Sequence, residues 1–406
     1  MRWPAIVFFV VTSAVSCRAG TPPVSTGADL LVRDHLDLLR GKRVGLVTNQ
    51  TGRCTWGEPL VDALLGRQIR IVALFSPEHG FGGTAGAGIA VSDSNDSTTG
   101  IRMYSLYGAT KRPTGAMLAN VDILVYDIQD VGVRYYTYIS TMVECMSAAA
   151  AAGMPFVVLD RPDPQGGLVV DGPVLPDSLR SFVGPLPLPV VYGLTVGELA
   201  VMANGEGWLD SGRRADLTVV WMEGWKRGMN WQETGLPWIP PSPNMPTPEA
   251  ALVYPMSCYL EATAVSEGRG TPAPFNLCGA PFVDGRIVDA AVKAKRFPFV
   301  RSEPAEFTPG DSKHRGRLCS GIRLSVTDDP SRRPVEAGVV LLDAFRRAAP
   351  DSVGIRRAGL NRLLGDPSCI SSLEQGLSVD AIARQWLQGL EKFMSIRRNC
   401  LHYPPK

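Results

Sequence analysis

The chain has 406 residues, 45% of them hydrophobic and 20% charged, with a formal net charge of +2. That is the make-up of an ordinary globular protein long enough for two cores. So small a charge gives no reason to expect nucleic acid or an anionic membrane surface as partner.

The first residues read as a processing segment. Arg2 followed by the apolar stretch Ile6–Val15 is too short to span a bilayer and fits an export signal over 1–17. Ser16-Cys17 is a candidate lipoprotein cleavage site with Cys17 carrying the lipid, although Ala14 stands where Leu, Val or Ile is more usual. Residues 18–26 read as a tether. The expected location is the periplasm or cell envelope, with membrane attachment only through Cys17. Seven cysteines follow Cys17; an odd number leaves at least one unpaired within the chain, and none has zinc-ligand spacing.

Asp29–Leu39 has the spacing of a short amphipathic helix closed by Gly41. Val44–Thr48 is a buried strand ending in Asn49-Gln50-Thr51-Gly52. A helix over 59–67 leads to the strand Ile69–Phe75, which Ser76-Pro77 stops; Glu78, His79 and Gly80 follow at once. After a glycine-rich excursion over 82–100 comes the strand Val121–Ile128, ending in Gln129-Asp130-Val131-Gly132. Arg134–Ala152 is a predicted helix, and Pro155–Leu159 a strand ending in Asp160-Arg161-Pro162. Strands alternating with helices at this spacing imply βαβ units and a mostly parallel, Rossmann-like α/β sheet. Right-handed crossovers then bring the loops Thr48–Gly52, Ser76–Gly80, Asp127–Arg134 and Asp160–Arg161 to the carboxyl edge, where ligands bind.

Further on, Thr195-x-x-Glu198 is a capping box, Leu217–Met222 a strand, and Trp238–Pro248 too proline-rich for regular structure. From about residue 272 the pattern changes to a strand at 321–326 and helices over 334–349 and 379–396. The sequence therefore divides into a sheet domain over 27–271 and a smaller α+β domain over 272–406, with Ile382, Trp386, Leu390 and Phe393 on one docking face of the last helix.

Several chemistries are excluded. Gly80-Phe-Gly-Gly-Thr-Ala85 imitates a dinucleotide fingerprint but lies past Pro77 and Glu78 without a clear helix after it, and no phosphate-binding Gly-x-x-x-x-Gly-Lys-Ser/Thr occurs, so no nucleotide is expected. Asp93–Asp96 lacks the ligand pattern of a calcium loop. No Gly-x-Ser-x-Gly elbow supports a serine hydrolase. Of the four histidines, His35 and His402 read as surface groups, leaving His79 and His314. Neither metal nor cofactor is expected.

Carboxylates are better supplied: Glu78, Asp127, Asp130 and Asp160 lie in the edge loops and Glu267 in a glycine-flanked loop. Glycoside hydrolysis uses a carboxylic acid to protonate the leaving oxygen and usually a second carboxylate. Apolar neighbours Phe75 and Phe81 suit Glu78 to the acid role; a structural cap or ion pair is the plain alternative. Arg134, Arg161 and Arg269 are candidates for binding an anion, unless Arg134 pairs with Asp130 and Arg161 with Asp160 or Asp163. Tyr135, Tyr136 and Tyr138 offer a stacking face for a sugar or else belong to the core.

Long motifs point further. Gly45-Leu-Val-Thr-Asn-Gln-Thr-Gly52, Leu74-Phe-Ser-Pro-Glu-His-Gly80 and Tyr126-Asp-Ile-Gln-Asp-Val-Gly-Val-Arg-Tyr-Tyr-Thr-Tyr138 resemble the exo-β-N-acetylmuramidases, the NamZ-type glycoside hydrolases of family 171. So do Leu159-Asp-Arg-Pro162, Pro240-Pro-Ser-Pro-Asn-Met-Pro-Thr247, Val265-Ser-Glu-Gly-Arg-Gly-Thr271, Ser312-Lys-His314 and Cys319-Ser-Gly321, and the similarity runs from about residue 27 onward. The resemblance implies a Rossmann-like domain without dinucleotide, a cleft against a smaller domain, and release of N-acetylmuramic acid from non-reducing ends of peptidoglycan fragments. It makes Glu78 the proposed catalytic glutamate. Position alone names Asp127, Asp160 and then Glu267 as candidates for its partner. Within the motifs, Asn49, Gln50, His79, Gln129, Arg134, Tyr135, Tyr136, Arg161, Asn244, Arg269 and His314 are candidate substrate-binding residues. An arginine among them would read the lactyl carboxylate that distinguishes muramic acid from glucosamine. Gly82–Gly88 departs from the family's charged segment and is expected to loosen the loop beside Glu78. A glycan-binding protein without turnover, and an esterase or amidase on the same polymer, are the competing readings.

Overall fold

The computed structural model describes residues 24–405. The export signal over 1–17 and the lipid site at Cys17 lie outside them. Residues 24–26, expected as the end of a tether, are part of the fold: Val24 N–H donates to the Thr234 carbonyl and Ser25 N–H to that of Glu223, and the Thr26 hydroxyl caps the first helix in a box with Asp29.

In chain order the sheet domain holds α1 (Gly27–Asp34), β1 (Arg43–Thr48), α2 (Leu60–Leu65), β2 (Arg70–Ser76), β3 (Ser94–Asn95), β4 (Arg102–Ser105), α3 (Gly115–Leu118), β5 (Ile123–Asp127), α4 (Tyr138–Ala152), β6 (Pro155–Leu159), α5 (Val196–Gly205) and β7 (Asp216–Val220). The strands form one sheet in the order β3-β4-β2-β1-β5-β6-β7, parallel throughout except for β3 against β4. The chain leaves the centre in both directions, so the order reverses between β1 and β5. Alternation along the strands sorts side chains to two faces: Val44, Leu46, Val125 and Val157 pack under α1 and α2, while Val47, Phe75, Tyr126 and Val158 join the core on α4's side.

Two helices are shorter than their apolar spacing predicts. The first breaks at Asp34, and Leu36–Leu38 continues as a 3-10 turn. The helix expected from Arg134 starts at Tyr138, after a bridge of Val133 to Val191 and a turn in which Tyr136 N–H donates to the Val133 carbonyl. At Gly27 a Cβ would lie 2.3 Å from the Asp160 nitrogen and 2.4 Å from the Val220 oxygen. Only glycine lets α1 start this close to the ends of β6 and β7.

The second unit comprises α6 (Pro248–Ser257), β8 (Leu277–Ala280), α7 (Gly285–Ala294), β9 (Val300–Phe307), β10 (Cys319–Val326), α8 (Pro334–Ala348), α9 (Arg357–Leu364), α10 (Cys369–Glu374) and α11 (Val379–Arg397). Its antiparallel sheet runs β8-β10-β9. Because α6 packs on α8 and β10, this unit takes in residues from 248, ahead of the change at 272 read from composition. Ile382, Trp386 and Phe393 of α11 are buried and Leu390 partly so. The chain then returns to the sheet domain, where Arg227 and Gly228 N–H donate to the Pro404 and Pro405 carbonyls. All seven cysteines of the described residues are unpaired.

Candidate active site

Only Pro77 separates Glu78 from the end of β2. His79 and Gly80 both adopt left-handed conformations, with φ of 71° and 75°, so the chain reverses within one turn; for histidine this conformation is uncommon and costs energy that the site must offset. His79 Nδ1 lies 2.6 Å from the Ala85 carbonyl. A carbonyl only accepts, so Nδ1 carries the proton and neutral His79 leaves Nε2 as a free acceptor. Burial lowers the His79 pKa, overriding the opposing contributions of the Ala85 bond and Glu78.

The Glu78 carboxyl is almost fully buried and held at both oxygens. Oε1 accepts from Gly88 N–H at 2.8 Å and Oε2 from the Thr137 hydroxyl at 2.6 Å. The glycine-rich stretch expected to loosen this flank thus brings a backbone donor onto the carboxyl. Tyr107 stands beside it: burial, then the Glu78 charge, push its hydroxyl up to about 12.

The cleft around these groups has a volume of about 360 Å³ and is lined from both units by Glu78, His79, Tyr135, Tyr136, Thr137, Ser242, Asn244, Tyr254, Arg269 and Phe275. Edge-to-face contacts set its aromatic wall, with Tyr135 5.2 Å from Tyr254 and Tyr254 4.7 Å from Phe275 between centroids. The Tyr136 hydroxyl is buried without a hydrogen-bond partner, a group that a polar ligand would satisfy. Arg269 lies 5.1 Å over the Phe275 ring and is braced by Glu261 at 2.5 Å and Glu267 at 3.2 Å.

The site thus joins a parallel-sheet domain to a smaller domain, and comparison with known proteins shows the family to which such a chain belongs. The N-terminal model of the exo-beta-N-acetylmuramidase NamZ family matches residues 44–249, and its C-terminal model residues 252–403. The chain belongs to this family. The peptidoglycan beta-N-acetylmuramidase NamZ of Bacillus subtilis (strain 168) is 44% identical over 387 residues, 95% of this chain and 92% of that protein. Crystal structures of two DUF1343 family proteins of Bacteroides fragilis NCTC 9343 superpose with TM-scores of 0.86 and 0.78. Each is 35% identical and covers 94% of this chain and 99% of its own.

Of the residues singled out in the NamZ motifs, Glu78, His79, Tyr135, Tyr136, Asn244 and Arg269 meet in the cleft. The others are engaged elsewhere. Asp127 forms a buried two-point pair with Arg161, at 2.6 and 2.9 Å; burial raises its pKa and Arg161 opposes this. Arg161 therefore pairs with Asp127 rather than with Asp160 or Asp163. With Gln129 it borders another hollow of about 380 Å³. Asp160 accepts from Gly197 N–H (2.8 Å), Arg161 N–H (3.0 Å), the Thr195 hydroxyl (2.9 Å) and the Tyr403 hydroxyl (2.5 Å). Burial nevertheless pushes it up to about 7.

Arg134 neither pairs with Asp130 nor faces the cleft. Its wholly buried guanidinium donates to the Pro173, Leu188 and Leu363 carbonyls at 2.9, 2.8 and 2.7 Å, tying the sheet domain to α9. Glu267 is salt-bridged to Lys313 at 2.8 Å as well as to Arg269, and reaches the cleft only through that arginine. Asn49, Gln50 and Gln129 brace loops: Asn49 holds Thr51, Gln50 donates to the Pro240 and Pro241 carbonyls, and Gln129 to those of Asp130 and Pro162. His314 contacts the Ala264 carbonyl through Nε2.

Thr137, Ser242, Tyr254 and Phe275 were missed as site residues. The first two lie inside motifs noted in the sequence, where a small hydroxyl among tyrosines or prolines is the available signal. Tyr254 and Phe275 have none, since an aromatic residue at a helix or loop position reads as core. Among the described residues no group of three or more His, Cys, Asp or Glu is placed to hold a metal ion, and no helix is long and apolar enough to cross a membrane.

Proposed function

We propose that this protein hydrolyses the glycosidic bond of non-reducing-end N-acetylmuramic acid in peptidoglycan fragments, with Glu78 as general acid. The observation that carries the reading is the Glu78 carboxyl at the cleft, fixed through both oxygens by Gly88 and Thr137. A carboxyl so fixed can deliver its proton along one direction, to a glycosidic oxygen seated in front of it; water adds at the anomeric carbon and gives up a proton to solvent, from which Glu78 is reprotonated. Tyr135, Tyr136 and Tyr254 supply the ring faces that such a site needs.

Of the three arginines considered for the lactyl carboxylate, Arg269 is the one that lines the cleft, and it takes that role here. A neutral sugar would offer this arginine no charge to pair with and bind less well. Asp127 and Asp160 serve as internal partners to buried donors, and Glu267 serves to aim Arg269. Export through residues 1–17, with or without lipid on Cys17, completes the proposal; fractionation of cells expressing the full chain and a Cys17→Ser variant checks it.

The test is hydrolysis of a chromogenic N-acetylmuramic acid glycoside by the wild type beside Glu78→Gln. Turnover by the wild type alone supports the reading. Binding without turnover by the wild type would replace it with a glycan-binding role, and equal turnover by both proteins would remove Glu78 from the chemistry.

A further inference from the structure

The groups that grip Glu78 continue past the cleft along α4. Thr137, at the N-terminus of this helix, bonds Glu78, and one turn on the Ser140 hydroxyl donates to the Phe182 carbonyl at 2.6 Å. Beyond it Glu144 and Ser147 line a second cleft of about 990 Å³, together with Lys111, Phe182 and Trp208. At 1.5 Å rise per residue, Thr137 to Ser147 spans roughly 15 Å of helix. Tyr107 lines neither cleft but neighbours Glu78 of the first and Phe182 of the second. Its ring centroid lies 5.8 Å from that of Phe182, and its hydroxyl feels the Glu78 charge.

Lys111 sits over this pair, its ammonium 4.0 Å from the Phe182 centroid and 4.8 Å from that of Tyr107. The neighbouring cations are already neutralised: Arg112 by Glu144 at 2.5 Å and Asp210 at 2.8 Å, and Arg180 by Asp177 at 2.8 Å. Lys111 has no carboxylate within salt-bridge distance among the described residues. An unneutralised ammonium positioned by two aromatic rings, on a track that leads from the proposed acid, forms a site for the carboxylate of a bound sugar.

We propose that this track binds the reducing-side remainder of the glycan whose bond Glu78 cleaves, with Lys111, held in place by Tyr107 and Phe182, pairing with one of its carboxylates. The inference rests on the hydrolase reading above and extends it from the released sugar to the leaving portion. The carboxylate belongs either to the lactyl ether of the next muramic acid or to a stem peptide.

Three substrates separate these cases in wild type and Lys111→Gln: the chromogenic monosaccharide glycoside, a peptide-free tetrasaccharide of alternating N-acetylmuramic acid and N-acetylglucosamine, and the same tetrasaccharide bearing a stem peptide. The expected result is a fall of about tenfold in kcat/KM on the longer substrates with the monosaccharide unchanged. A fall on both tetrasaccharides assigns the lactyl carboxylate, and a fall confined to the peptide-bearing one assigns the stem. Equal losses on all three substrates, or none, would overturn the proposal. Calorimetric binding of both tetrasaccharides to Glu78→Gln, with and without Lys111→Gln, keeps the two readings apart. Weaker binding of either tetrasaccharide on loss of Lys111 upholds the track even where the wild type cleaves nothing, and unchanged binding ends it even where the wild type is active. Phe182→Leu, which keeps an apolar side chain and the backbone carbonyl that Ser140 bonds, is expected to follow Lys111→Gln.

Discussion

Glu78 and Asp160 occupy equivalent places, each just past a parallel strand on the same edge of one sheet. Glu78 accepts from Gly88 and Thr137 and borders an open cleft. Asp160 accepts from four donors, one of them the Tyr403 hydroxyl brought back by the C-terminal tail, and has no exposed surface. Position at a strand end thus decides that a carboxylate will be polar and buried, but not whether a substrate can reach it. Access is decided by what the rest of the chain lays over each site.

The sharpest way to break this contrast is to neutralise each carboxylate. Glu78→Gln is expected to lower kcat on a muramic acid glycoside roughly a thousandfold, within the range for a positioned acid, while the thermal midpoint stays close to wild type. Asp127→Ala should do the reverse in kind. It leaves Arg161 buried without its partner, which costs about 3–5 kcal/mol, readable as a lower urea midpoint. Arg161→Met added to Asp127→Ala should recover part of that loss. If Asp127→Ala instead keeps its stability and abolishes turnover, Asp127 belongs with Glu78 and not with Asp160.

The sheet was legible because alternating apolar strands and helices obey short-range rules. Val44–Thr48, Ile69–Phe75 and Pro155–Leu159 lie within a residue or two of the observed strands. The edge loops were legible for the same reason, and they named Glu78. What the sequence hid are contacts between residues far apart. Leu363 meets Arg134 across 229 positions, and Tyr403 meets Asp160 across 243. Nothing near Arg134 marks its guanidinium as a buried tie rather than an anion reader. Thr137 was hidden differently: a lone hydroxyl among tyrosines becomes a site residue only once the turn at His79 brings Glu78 beside it.

That turn makes Thr137 the next test on the Glu78 side. Thr137→Val removes the bond to Oε2 and should lower kcat about tenfold, the order of one hydrogen bond to a charged group, with KM little changed. Thr137→Ser should restore it. On the Asp160 side the matching change is Tyr403→Phe, which deletes the hydroxyl that donates to Asp160 and accepts from Met222 N–H. Its expected cost is about 1–2 kcal/mol of stability, with kcat unchanged.

The smallest contrast is in pH. Asp130 is buried, with Oδ2 accepting from Gly132 N–H and the Tyr192 hydroxyl and Oδ1 without a partner. Burial pushes its pKa up to about 7 from 3.8, against those hydrogen bonds. Between these two values the folded chain holds a proton that the unfolded chain has released, so this group's contribution to stability falls as pH rises and levels off above about 7. From pH 6 to pH 8 the loss is about 1 kcal/mol, since one pKa unit corresponds to about 1.4 kcal/mol. Asp160, Asp163 and Asp171 are also raised to about 7, so the wild-type slope is shared. Subtracting the urea midpoints of Asp130→Asn from wild type at pH 6 and pH 8 isolates the one site. A difference that shrinks toward pH 8 is the expected sign. A difference that stays the same at the two pH values would mean that Asp130 is held ionised, and that a buried strand-end carboxylate can keep its charge without a cleft or a cation beside it.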